Sequence, residues 1–225
     1  MIDLSHLPQM ITAIGGLGTA AFGVVDASKA LGGGVNHIGF IGIKATVQSL
    51  TPGKPTNALS QDKILATLKA NWFNGTDLSS QKSIAKSLIK LNLDATNAAN
   101  LAGVAGVDPA VLTQVASSIA AGTALTTAQS DVYSRFDLIL TALLDETYQQ
   151  SDNVYRNWTR AIAGLVAVAL ALAGGYVISG PGHFDGPEIV KSVLVGLLAT
   201  PLAPIAKDLS TALATAVNTL QLVKK

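Results

Sequence analysis

From Ala161 to Ser179 the chain reads AIAGLVAVALALAGGYVIS, nineteen residues without one charge. A helix of about 20 apolar residues crosses the ~30 Å of hydrocarbon in a bilayer. A soluble helix of this length would need a polar face, and this run lacks one. Trp158 and Arg160 precede it and Tyr176 lies near its end, places where amphipathic side chains favour the membrane–water interface. With Arg156 they are the expected interface anchors. The run predicts a membrane span.

The turn GPGHFDGP, residues 180–187, follows, and then a second apolar stretch from Ile189 to Ala206 interrupted only by Lys191. Pro201 and Pro204 would disrupt a soluble helix but are tolerated in lipid where neighbours re-satisfy the backbone. Residues 161–206 therefore predict a transmembrane helical hairpin, with Lys191 placed to snorkel. Near the N-terminus, Leu7 to Val25 is uncharged, long enough to span, and ends at Asp26. The next apolar stretch, LGGGVNHIGFIGIKATV, holds five glycines and predicts a re-entrant or interfacial segment. If residues 31–50 span fully, three spans become four and the N-terminus changes sides.

Composition agrees. Half the chain is apolar and only 13% is charged, about half the usual share for a soluble domain. Lipid as solvent for part of the chain resolves that shortage. The absence of cysteine excludes disulfides and thiolate metal sites. The N-terminus shows no basic region and no A-x-A exit, so a retained N-terminal segment is expected.

From residue 51 to residue 160 the character changes. TPGKPTN reads as a linker, and Asn57 as the cap of a helix carrying Leu59, Ile64, Leu65, Leu68 and Trp72. DLSSQKSIAKSLIKLNL puts Ile84, Leu88 and Leu91 on one face and Lys82, Lys86 and Lys90 on the other. Asp108 and Pro109 open a helix with Leu112, Val115 and Ile119, and Thr126-x-x-Gln129 is a capping box for the next. No Gly or Pro then appears until Gly164, so one helix would run about 80 Å into the membrane if continuous to Ser179.

Gly16-Leu17-Gly18-Thr19-Ala20-Ala21 fits the dinucleotide fingerprint G-x-G-x-x-A. The ribose-binding acid expected about 20 positions on is missing, since Asn36 and His37 stand there. Small residues recurring every four positions are the better account. Gly15, Thr19, Gly23 and Ala27 form one ridge, Ala163, Ala167, Ala171 and Gly175 a second, and Ser192, Gly196 and Thr200 a third. Such ridges let helices approach closely in lipid, where packing drives association. No cofactor is expected. His6, His37 and His183 have no metal-ligand spacing, and His183, Asp185 and Glu188 in the turn read as solvated. The central lysines are balanced by acids with few aromatics, so nucleic acid is not an expected partner.

SRFDLILTALLDETYQQSDNVYRNWTR entering a span, then LLATPLAPIAKDLSTAL, resembles the C-terminal half of a widespread group of bacterial integral-membrane proteins without assigned function. Phe136-Asp137, Tyr155-Arg156, Pro204 and Asp208-Leu209 carry the resemblance. It implies a bacterial membrane hairpin and no activity.

The expectation is an all-α membrane protein with spans near residues 7–25, 161–179 and 189–206 and a helical extramembrane domain between the first two. The units would be a glycine-rich membrane segment to residue 50, a helical domain over 51–160, the hairpin over 161–206 and an amphipathic C-terminal helix from 207. Eleven of the fifteen Lys and Arg lie between Asp26 and Arg160, and the hairpin turn has none. The positive-inside rule then puts the central domain and C-terminus in the cytoplasm, at the inner membrane of a bacterium. Expected partners are the lipid bilayer, further copies or a larger membrane assembly, and a cytoplasmic protein docking on the central domain. A non-catalytic anchor or scaffold fits best; the alternative is a channel or transporter subunit.

Overall fold

The computed structural model describes residues 7–51, 59–180 and 182–223, with the side chains of 7, 8, 209, 210 and 213–223 outside the description. Among the described residues eight helices follow in order: α1 Leu7–Ala30, α2 Asn36–Leu50, α3 Gln61–Phe73, α4 Leu78–Leu91, α5 Ala98–Ala105, α6 Pro109–Ala121, α7 Thr127–Ser179 and α8 Gly186–Val223. No strand occurs among the described residues. The chain divides into two compact units, one of Asn36–Tyr155 and one of Met1–Val35 with Arg156–Lys225, so α7 contributes to both.

Local signals set the helix starts of the central unit. Ser60 accepts from Lys63 N at 3.3 Å, Asp77 from Ser80 N at 2.8 Å, and Asp108 from Val111 N at 2.9 Å. Thr126 and Gln129 form the reciprocal box, at 2.9 and 3.3 Å. Each side-chain oxygen satisfies an N–H that has no partner within its helix. The α3 cap is thus Ser60; Asn57, expected in that role, lies outside the described residues. Gly106 and Gly122 end α5 and α6 at φ 60° and 66°, left-handed values that favour glycine.

On α7 a residue at every fourth position, Phe136, Leu140, Leu144 and Tyr148, is buried in this unit's core. Leu68 and Trp72 of α3, Ile89 of α4, Leu101 of α5 and Leu112 of α6 join them. Ile119 of α6, expected on the apolar face, is exposed. Residues 36–50 belong here too, not in a membrane segment extending to residue 50. Phe40, Ile43, Val47 and Leu50 of α2 repeat at three and four residues and are buried in the same core. The 15 residues of α2 rise about 22 Å, too short for a span. A Cβ on Gly39 would lie 2.6 Å from Trp72 Cζ2, so glycine admits the indole, whose Nε1 donates to Asn36 O at 3.0 Å.

The segments Gln9–Ala30, Thr127–Ser179 and Gly186–Asp208 belong to three helices long and apolar enough to cross a membrane. α8 continues through Pro201 and Pro204 with no break at residue 206. Leu209, Leu213, Val217 and Leu220, the apolar positions of the expected amphipathic C-terminal helix, lie outside the described side chains.

Phe136→Ala removes the centre of the central core and should cost about 3–5 kcal/mol. Urea unfolding followed by the fluorescence of buried Trp72 measures it, and a loss under about 1 kcal/mol would contradict the packing described.

Candidate functional site

In the unit formed by α1, α8 and the later part of α7, the inside is made mostly of small residues, with Val25 and Val35 buried beside them. Ala21 of α1, Ala167 of α7 and Ala199 of α8 are fully buried and pack together. Ala163, Ala167, Ala171 and Gly175 supply the α7 side of the junction. The three alanines are buried, and Gly175 faces Ser192 Oγ and lies beside Phe184. On α8, Ser192 is buried, and a Cβ added to Gly196 would come 2.5 Å from Val168 Cα. Gly15 of α1 lies against Leu202 and Ala206, and Gly18 against the Ala199 carbonyl and Ala203.

Three residues of the expected ridges fall elsewhere, exposed Ala27 among them. Gly23 has no atom within 4 Å of where its Cβ would be, and Thr19 is exposed, its hydroxyl donating to Gly15 O at 3.0 Å. The buried face of α1 steps through Gly15, Gly18, Ala21 and Val25, near the 3.6 period, while a strict four-residue ridge drifts off it. Gly18, Ala21, Ala199, Ala203 and Ala206 were thus absent from the expected set. The same 3.6 period, applied to all small residues, would have found Gly18 and Ala21.

Large side chains of the same unit point outward. Leu165, Val177 and Ile178 are 72%, 79% and 87% exposed, and Leu194, Leu197 and Leu198 are exposed as well. A protein folded by water does the reverse. Arg156, Trp158, Arg160 and Tyr176 are all exposed, with Tyr176 edge-on to Phe184 at 5.8 Å.

Polar groups near the apolar helix ends find local partners. Lys191 donates to Glu188 and Lys29 to Asp26, both at 2.6 Å. Asp185 accepts from Glu188 N at 3.4 Å at the start of α8. Among the described residues no group of three His, Asp or Glu could hold a metal ion.

The central unit holds a polar seam between α4 and α7. Lys82 pairs with Asp145, Lys86 with Asp137 at 2.6 Å, and Lys90 with the other Asp137 oxygen at 2.8 Å. Lys86 also donates to Thr141 Oγ1 at 2.9 Å, and Lys90 lies 4.8 Å from the centre of the Tyr133 ring. The numbering rises on α4 as it falls on α7, so the two helices run antiparallel. The lysine face, set opposite the apolar one in the sequence, is therefore a helix contact, and Leu91, expected on the apolar face, is exposed. For Asp137, desolvation by burial pushes its pKa up, but hydrogen bonds from Lys86 and Lys90 prevail and hold it below the usual carboxylate range. Burial also opposes the charge on Lys90, and its contacts with Asp137 and Tyr133 outweigh that and raise its pKa.

Compared with known protein families, curated proteins and solved structures, the chain matches none.

Gly18→Leu forces a side chain into the Ala199 backbone and should cost about 3 kcal/mol. Gly23→Leu meets open space and should stay within about 0.5 kcal/mol. Thermal unfolding in mild detergent compares the two, and equal losses would contradict the α1–α8 contact. A depressed Asp137 pKa stabilises the folded state above about pH 4, and that contribution fades as the pH falls through the folded value. Between pH 5 and roughly pH 2, Asp137→Asn should therefore lose less stability than the parent; equal acid slopes would contradict the assignment.

Proposed function

We propose that the chain is a non-catalytic integral-membrane anchor or scaffold subunit. One observation carries the proposal: in the unit of α1, α8 and the later part of α7, the buried positions are mostly alanine, glycine and serine, with Val25 and Val35 besides, while most of the large leucine, isoleucine and valine side chains face outward. Exposing that much aliphatic surface to water would be strongly unfavourable, and facing it to lipid carries no such cost. With hydrocarbon outside, the hydrophobic effect no longer sorts residues by size. Close contact between small residues is then what holds helices together.

The central unit is a helical domain carried by this anchor and offered to a cytoplasmic partner. The positive-inside bias places it in the cytoplasm and the turn bearing Asp185 outside, and the resemblance points to the cytoplasmic membrane of a bacterium. Self-association would use what one copy leaves open. Gly15, Ala167 and Gly196 are occupied by contacts within the chain, whereas Thr19 and Gly23 are accessible. A channel is the weaker reading. The crevice of about 430 Å³ bounded by Leu17, Leu170, Gly174 and Ile178 is mainly apolar, with Glu188, Lys191 and Ser192 its only ionisable or strongly polar side chains besides Ser179.

The chain has no cysteine, so Asp185→Cys gives a single reporter. An impermeant maleimide should label it in intact cells, while Thr123→Cys in the central unit should label only after permeabilisation. The reverse pattern would overturn the orientation, and release of the protein by alkaline carbonate would overturn the anchor itself. Gly23→Leu should shift the detergent-solubilised species to smaller size without unfolding it. A parent protein that is monomeric and partnerless would refute self-association and assembly.

A further inference from the structure

The α4–α7 seam has an imbalance of charge. Asp137 gives one oxygen to Lys86 and the other to Lys90, so a single carboxylate stands against two ammonium groups. Lys82 does not alter the count, having Asp145 as its own partner. The Lys86–Asp137–Lys90 group therefore carries one uncompensated positive charge. All three side chains are partly shielded, at 28–29% exposure, where a charge is screened less than on an open surface.

That charge borders a cleft of about 700 Å³. Lys86 and Lys90 line it together with the hydroxyls of Ser83 and Ser87. Leu91, Leu93, Ile119 and the Tyr133 ring complete the lining, and Leu91 and Ile119 are 64% and 49% exposed although both occur in otherwise core-forming helices. Cationic and hydroxyl donors meet bare aliphatic surface in one concavity. The volume is in the range of small-molecule sites.

We propose that this cleft binds an amphipathic anion, an aliphatic chain ending in a phosphate or carboxylate. The head accepts from the Lys86 and Lys90 ammonium groups and the serine hydroxyls, cancelling the excess charge, and the chain covers Leu91 and Ile119. Charge-assisted hydrogen bonds hold the head, and apolar burial retains the tail. Neither half suffices alone, so inorganic phosphate and a simple alcohol should both bind poorly.

Hexyl phosphate, short enough to partition little into micelles, is the probe, titrated calorimetrically into the full chain in uncharged detergent beside hexanol and inorganic phosphate. It should bind at least about tenfold more tightly than either. Lys90→Gln and Ser87→Asp should each weaken it by about tenfold. Asp137→Asn should strengthen it, because removing the carboxylate leaves two ammonium groups for the ligand; a purely structural seam gives no such opposite sign. If Asp137→Asn fails to fold, Ser87→Lys at the exposed rim carries the same expectation. Hexanol binding as tightly as hexyl phosphate, or charge variants of both signs weakening binding alike, would overturn the proposal. Phosphatidylcholine nanodiscs with and without phosphatidylglycerol distinguish the source of the anion. A lipid headgroup as occupant makes phosphatidylglycerol abolish hexyl phosphate binding, and a free anion leaves it within about twofold.

Discussion

The meeting of Ala21, Ala167 and Ala199 is the contact on which the unit of α1, α8 and the later part of α7 depends. Each brings a single methyl group, so backbones come close enough for a glycine at position 18 to rest on the carbonyl of Ala199. Dispersion falls off steeply with separation, and such proximity gives many weak contacts over a short length of helix. Alanine and glycine also lose no rotamer freedom when packed, so little entropy opposes the association. The large aliphatic side chains need no partner within the chain when the surroundings are hydrocarbon.

The central unit is stabilised by the opposite logic. Phe136, Leu140, Leu144 and Tyr148 form a buried stripe of large side chains, and helix ends are closed by serine, threonine and aspartate oxygens. This is the pattern expected where water is the solvent and apolar burial supplies the driving force. One helix, α7, carries both patterns in succession. Residues at every fourth position are large from Phe136 to Tyr148 and small from Ala163 to Gly175. A switch in size along a constant spacing is what a passage from water into lipid, as proposed, would require.

What could be read from the sequence was local. The caps at Asp108 and Thr126 and the uninterrupted helix from Thr127 to Ser179 follow from residues within a few positions of each other. The role of residues 36–50 did not, because the stretch over 31–47 with its five glycines resembles a membrane segment until Trp72, far along the chain, is found resting on Gly39. The partners of the α4 lysines could not be read either, because the acids that engage them are 47 to 63 residues away. On α1, small residues occur at both three- and four-residue steps, and only the neighbouring helix selects between Gly18 and Thr19.

The inward placement of small residues reverses the usual relation between burial and tolerance of change. In a water-filled setting the outer positions accept almost any polar residue and the inner ones demand bulk. With lipid around the unit, as proposed, the outer positions, Leu165, Val177 and Leu197 among them, would need only to remain apolar and could exchange freely among Leu, Ile, Val and Phe. The inner positions, Gly18, Ala167 and Gly196, accept no gain of even a few methylenes. A library of variants selected for folding would thus show a volume ceiling at one set of positions and a polarity ceiling at the other. The boundary between the two sets would trace the outline of the helix bundle without any structure being determined.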